Sequence, residues 1–82
     1  MFHFAQYGIP VGSKLTFTRD SNIVAEVVEG DKIRIGDKVS SLSTFAMELL
    51  GYQRRPQGTL YFEFEEEILD DRRRRMDTDI EQ

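Results

Sequence analysis

From Lys14 the chain alternates: Leu15 and Phe17 face one way, Lys14, Thr16 and Thr18 the other, the pattern of a strand with one buried face. Asp20-Ser21-Asn22 has turn chemistry. Beyond it, Ile23, Ala25 and Val27 alternate with Val24, Glu26 and Val28 in a β-branched second strand. Glu29-Gly30-Asp31 predicts a tight reversal through glycine's freedom at positive φ. Residues 32–35 predict a third strand, with Ile33 and Ile35 on one face and Lys32 and Arg34 on the other. Gly36-Asp37 then forms a second hairpin turn, and residues 38–40 a short fourth strand. The pattern is that of a meander.

The period then changes. Leu42, Phe45, Ala46, Leu49 and Leu50 recur at helical spacing. Ser40 or Ser41 is placed to cap the first amides, and Gly51 stands where a helix end favours a left-handed residue. Burying four large side chains of that stripe, at about 1.5–3 kcal/mol each, contributes roughly 6–12 kcal/mol before entropy. In so short a chain the stripe can be buried only against the apolar side of the sheet. Residues 52–58 form a loop holding Arg54, Arg55 and Pro56. Residues 59–65 alternate again, Leu60, Phe62 and Phe64 against Tyr61, Glu63 and Glu65, and close the sheet. Phe2 and Phe4 fit either an outer strand or one turn of helix, and Gly8-Ile-Pro-Val-Gly12 is a turn-forming stretch. The expected fold is therefore α+β: a small antiparallel meander of four to five strands covered by one helix.

Charge divides the chain of 82 residues. The net charge is −4, a balance that by itself disfavours a nucleic-acid binder. Residues 1–62 carry a net +1, however, and residues 63–82 a net −5. The acidic excess thus belongs to the end of the chain, where acids surround Arg72 to Arg75. Beyond Leu69 there is too little apolar surface to offset about 1–2 kcal/mol of backbone ordering per residue. Residues 1–69 are accordingly expected as a single domain and 70–82 as a charged tail, helical in part. Its Asp70–Arg74 and Asp71–Arg75 pairs at i, i+4 contribute about 0.2–0.5 kcal/mol each.

The residues that carry chemistry are few. His3 is the only histidine, and no nucleophile is paired with it in a motif, so packing or surface exposure is its expected role. Ser40, Ser41 and Ser43 stand at a helix start, where capping explains them. Asp70 and Asp71 with Glu65, Glu66 and Glu67 lack the spacing of a calcium loop and are read as a solvated charge run. The stretch Gly8 to Gly12 precedes a strand and has no P-loop lysine. No cofactor or metal is expected, and no enzymatic activity. Cysteine is absent, which excludes disulfides and thiolate sites and gives no support for an oxidising compartment. Residues 1–7 lack the pattern of a secretory signal, and no apolar run exceeds three residues. A soluble, cytoplasmic domain without a membrane partner is expected.

The cations suggest a binding surface. Lys14, Lys32 and Arg34 share the sheet face opposite the helix, with Lys38 extending the patch and Glu26 interrupting it. Arg54 and Arg55 lie near Tyr52 in the loop, a basic and aromatic combination used by nucleic-acid binders. The competing reading is that these are solubilising residues. In the Arg72 to Arg75 run, neighbouring acids offset the positive charge.

From Lys32 to Phe62 the chain resembles a known module. Ile33-Arg-Ile35-Gly36, Ser40-Ser-Leu-Ser-Thr-Phe-Ala46, Leu50-Gly51, Gln57-Gly58 and Tyr61-Phe62 are similar in order to the RAMA domain, named for restriction enzymes and adenine methylases, and to related domains appended to GIY-YIG-type nucleases. Gly12 with Leu15 and Phe17 resembles that family's first strand, so the resemblance covers about residues 8–65. It departs from the family in having Gln57-Gly58 and then Tyr61-Phe62 where asparagine-glycine-tryptophan and further tryptophan are common; tryptophan is absent. The resemblance implies a non-enzymatic accessory domain of restriction-modification or nuclease proteins that assists DNA recognition. Its expected partners are DNA, bound weakly and with salt dependence, and a fused or neighbouring nuclease or methyltransferase. The expected contact residues are Lys14, Lys32, Arg34, Lys38, Tyr52, Arg54 and Arg55. The alternative is a protein-interaction or dimerisation module that uses the tail or the exposed Val24 and Val28 and binds no nucleic acid.

Overall fold

The alternation becomes a six-stranded antiparallel sheet in the computed structural model, which describes residues 1–80. In chain order the elements are β1 (Lys14–Phe17), β2 (Asp20–Val28), β3 (Lys32–Ile35), β4 (Lys38–Ser40), α1 (Leu42–Leu50), β5 (Phe62–Phe64), β6 (Glu67–Ile68) and α2 (Leu69–Ile80). Across the sheet the order is β4-β3-β2-β1-β5-β6. The fold is α+β, as expected, with one strand and one full helix beyond the expected set.

The predicted periodicities account for the first half. Leu15, Phe17, Ala25, Val27 and Ile33 are buried on one face and join Phe45, Ala46, Phe62 and Leu69 in a single core. Ser41 is the N-cap of α1: its Oγ accepts the Thr44 N–H at 3.2 Å. Gly51 closes the helix at φ 73°, a left-handed conformation that costs a residue with a Cβ about 1–2 kcal/mol. Through Phe45 and Ala46 the helix packs on the inner face of the sheet, while Lys14, Val24 and Arg34 on the outer face are exposed. Leu49 does not follow the predicted stripe; it is 37% exposed.

Other differences have local causes. Phe17 pairs with Asp20 and Thr16 with Val24, so the first turn falls at Thr18-Arg19 and residues 21–23 bulge out of register. The Asp20 side chain accepts the Asn22 N–H at 3.0 Å inside that bulge, which is where its turn chemistry acts. Phe4–Tyr7 is a 3-10 turn, which decides between the two conformations open to the N-terminal aromatics. Thr59 and Leu60 belong to a second 3-10 turn, Gly58–Leu60, so the closing strand starts only at Phe62. Glu65 and Glu66, both at positive φ, make a two-residue turn between β5 and β6, a conformation that usually selects Asn and Gly.

The largest difference concerns the end of the chain. Residues 70–80, expected as a charged tail helical in part, are helical throughout and continue α2 from Leu69; residues 81–82 of that tail lie outside the described residues. Asp70 is 1% exposed. Arg72 donates from Nε to the Tyr7 carbonyl at 2.7 Å and lies 5.0 Å over the Phe64 ring, and Tyr7 Oη donates to Asp77 at 3.0 Å. An apolar-area argument misses this docking because, besides Leu69 and Met76, the helix is held by charged and polar contacts. Burial, followed by Asp77, raises the Tyr7 pKa.

Candidate functional site

The sheet positions place the expected basic surface in a row of opposed charge. Lys14 faces Glu26 across β1 and β2, and Glu26 faces Arg34 across β2 and β3. Glu26 accepts from Lys14 Nζ at 3.3 Å and from the Arg34 guanidinium, and these two contacts, Lys14 first, hold its pKa below the ordinary value. The carboxylate therefore bridges the two cations, leaving the row net +1. Lys38 does not extend this patch. It lies directly opposite Ile35, on the inner side of the sheet, and pairs with Glu48 of α1. Lys32 stays on the outer face, half-buried.

The loop cations are differently placed. Arg54 and Arg55 are exposed and make no ion pair among the described residues. Tyr52, also exposed, follows the end of α1, and its N–H donates to the Met47 carbonyl at 3.0 Å. The loop then runs back along the helix, whose nine residues span ~13 Å, to its first turn. Gly58 packs there on the helix backbone. A Cβ at this position would stand 2.6 Å from Leu42 C and Ser43 N, closer than any side chain fits. The Gly58 N–H donates to Ser43 Oγ at 3.4 Å.

This contact shapes a cleft of about 490 Å³ between the loop, the start of α1, the N-terminal residues and α2. Arg55 and Arg73 both line it, together with Ser41, Ser43, Gln57 and Thr59. Beside it lies the buried Asp70 carboxylate, which accepts from Gln57 Nε2 at 2.7 Å, from Thr59 Oγ1 at 3.3 Å and from the guanidinium groups of Arg73 and Arg74. Asp31, which also lines the cleft, accepts from His3 Nδ1 at 2.9 Å and from the Phe4 N–H at 3.1 Å. These contacts, His3 foremost, lower its pKa. His3 is thus an exposed partner of a turn aspartate.

Sequence reasoning singled out Arg55 but not Arg73, Gln57, Thr59 or Ser43 as members of one site. The available signals were Gln57-Gly58 and the serines at the helix start; the contribution of Arg73 depends on the docking of α2. No family model matches this chain, and no match is found among curated proteins. Among the described residues no cluster of three or more His, Asp or Glu is arranged to hold a metal ion, and no helix is long and apolar enough to cross a membrane.

Proposed function

We propose that this chain is a non-enzymatic accessory domain that assists DNA recognition, with the Arg54-Arg55 loop as its phosphate contact. One observation carries the reading. These two adjacent arginines are exposed and make no ion pair among the described residues, whereas Lys14, Arg34 and Lys38 are engaged by glutamates. Guanidinium groups without internal partners retain their donors for phosphate oxygens. The resemblance to the RAMA domain supports the same region. Ser41-Leu-Ser43 opens α1, Gln57-Gly58 lies against it, and Phe62 begins β5 in the core beneath. A restriction-modification or nuclease setting follows from that resemblance, with a nuclease or methyltransferase as the fused or neighbouring partner.

Affinity should be modest, because log K changes by about −0.9 per log unit of salt for each phosphate neutralised, and two arginines neutralise roughly two. A fluorescence titration with duplex DNA at low salt tests this. The expected result is binding that weakens with salt and falls about tenfold or more in the Arg54→Ala, Arg55→Ala double variant. Absence of binding, or binding indifferent to that variant, removes the proposal.

A further inference from the structure

We infer that the cleft between Arg55 and Arg73 is a binding site for one nucleotide, held by its phosphate; the choice of ligand class rests on the DNA reading above. The carboxylates at and beside the cleft already accept internal donors. Asp70 takes donors from Gln57, Thr59, Arg73 and Arg74, and Asp31 takes donors from His3 and the Phe4 amide. The guanidinium groups have donors left over. Arg55 has no ion-pair partner among the described residues, and Arg73, 35% exposed, directs one terminal nitrogen to Asp70. Five N–H donors in a planar fork outnumber these contacts, so two guanidinium groups with donors to spare, against the one lining carboxylate Asp31, suit the cleft to an oxyanion.

Shape narrows the ligand further. A cleft of about 490 Å³ lies within the ~300–1,000 Å³ typical of small-molecule sites. It is large enough for a mononucleotide and too small for a duplex. Leu42 and Pro56 add apolar wall beside the charged groups, as a ligand with one ionic end and one planar, less polar end requires. The close packing of Gly58 on α1 fixes the wall that carries Gln57. Arg54 does not line the cleft. The continuous backbone of a duplex can therefore reach the loop from outside, while a strand terminus or free nucleotide enters.

Chemical-shift titrations of the intact chain test this with a 5′-phosphorylated single strand, the same strand with a 5′-hydroxyl, a deoxynucleoside 5′-monophosphate, inorganic phosphate and an acidic peptide. The 5′-phosphate should strengthen binding about tenfold, and its shifts should centre on Ser43, Gly58 and the Arg55 side chain. Arg55→Gln should weaken nucleotide binding by about tenfold and Arg54→Gln by less than about twofold. Comparable affinity of the free monophosphate supports a nucleotide pocket; preference for the strand supports an end-binding pocket. The inference is overturned if both strands bind equally, if inorganic phosphate binds as tightly as the nucleotide, or if only the acidic peptide shifts these residues. Duplex binding measured in parallel separates the two ideas. Duplex affinity sensitive to Arg54→Gln without nucleotide binding leaves the DNA reading standing and removes the cleft assignment. Nucleotide binding without duplex affinity does the reverse.

Discussion

The four arginines of α2 and the two of the loop before Gly58 differ in what surrounds them. Arg73 and Arg74 converge on the buried Asp70, and Arg72 and Arg75 on Glu67. Arg54 and Arg55 make no ion pair among the described residues. The denser run of positive charge is thus engaged by the fold, Arg73 alone of the four also lining the cleft, whereas the sparser run has no internal counter-charge among the described residues. What decides is the carboxylate count within reach, which the topology sets. A run of arginines marks a ligand surface only where the fold leaves its donors unused.

Three measurements would break or sharpen this contrast. Asp70→Ala should have the largest effect. Removing a buried carboxylate from its donors should destabilise by about 3 kcal/mol, the low end of the range for a broken buried pair because both arginines can still reach water. Urea unfolding checks this; a loss under about 1 kcal/mol would mean that α2 is not held through Asp70.

Glu67→Gln comes next, with an expected loss of about 1 kcal/mol at neutral pH. Arg75, followed by Arg72, holds the Glu67 pKa below its ordinary value. The folded state therefore binds fewer protons here than the unfolded one. The resulting stability is complete above the unfolded value of about 4.3 and is lost as pH falls through the lower folded value. Wild type should lose stability on acidification across that window, and Glu67→Gln should lose less. Equal slopes would separate Glu67 from the pairing.

The smallest stability effect belongs to the loop. Arg54→Ala with Arg55→Ala should change unfolding free energy by no more than about 0.5 kcal/mol while lowering DNA affinity. A loss of stability comparable to that of Asp70→Ala would erase the distinction between the two groups.

The meander and α1 were legible because local rules determine them. Leu15 and Phe17, Ala25 and Val27, and the Ser41 and Gly51 caps each show their state within a few residues. Lys38 was legible in principle: the residues flanking a two-residue hairpin turn stand opposite each other on one face, so Lys38 shares the side of Ile35. The bridging role of Glu26 required the register of three strands. Glu65-Glu66 gave no turn signal, since glutamate seldom adopts the left-handed region. Docking of α2 was beyond local reading altogether. It depends on Tyr7, Gln57 and Thr59, which meet the helix only after the chain has folded back on itself.

The contact between Tyr7 and α2 bears on the order in which the molecule assembles. Each hairpin of the meander can close once its second strand exists. The Tyr7 carbonyl instead waits for Arg72, 65 positions later, and its hydroxyl for Asp77, 70 positions later. Contacts of such long sequence separation form late and slow the search. During synthesis Tyr7 leaves the ribosome well before Arg72 and Asp77, so its segment is secured only after some 65 further residues have been made.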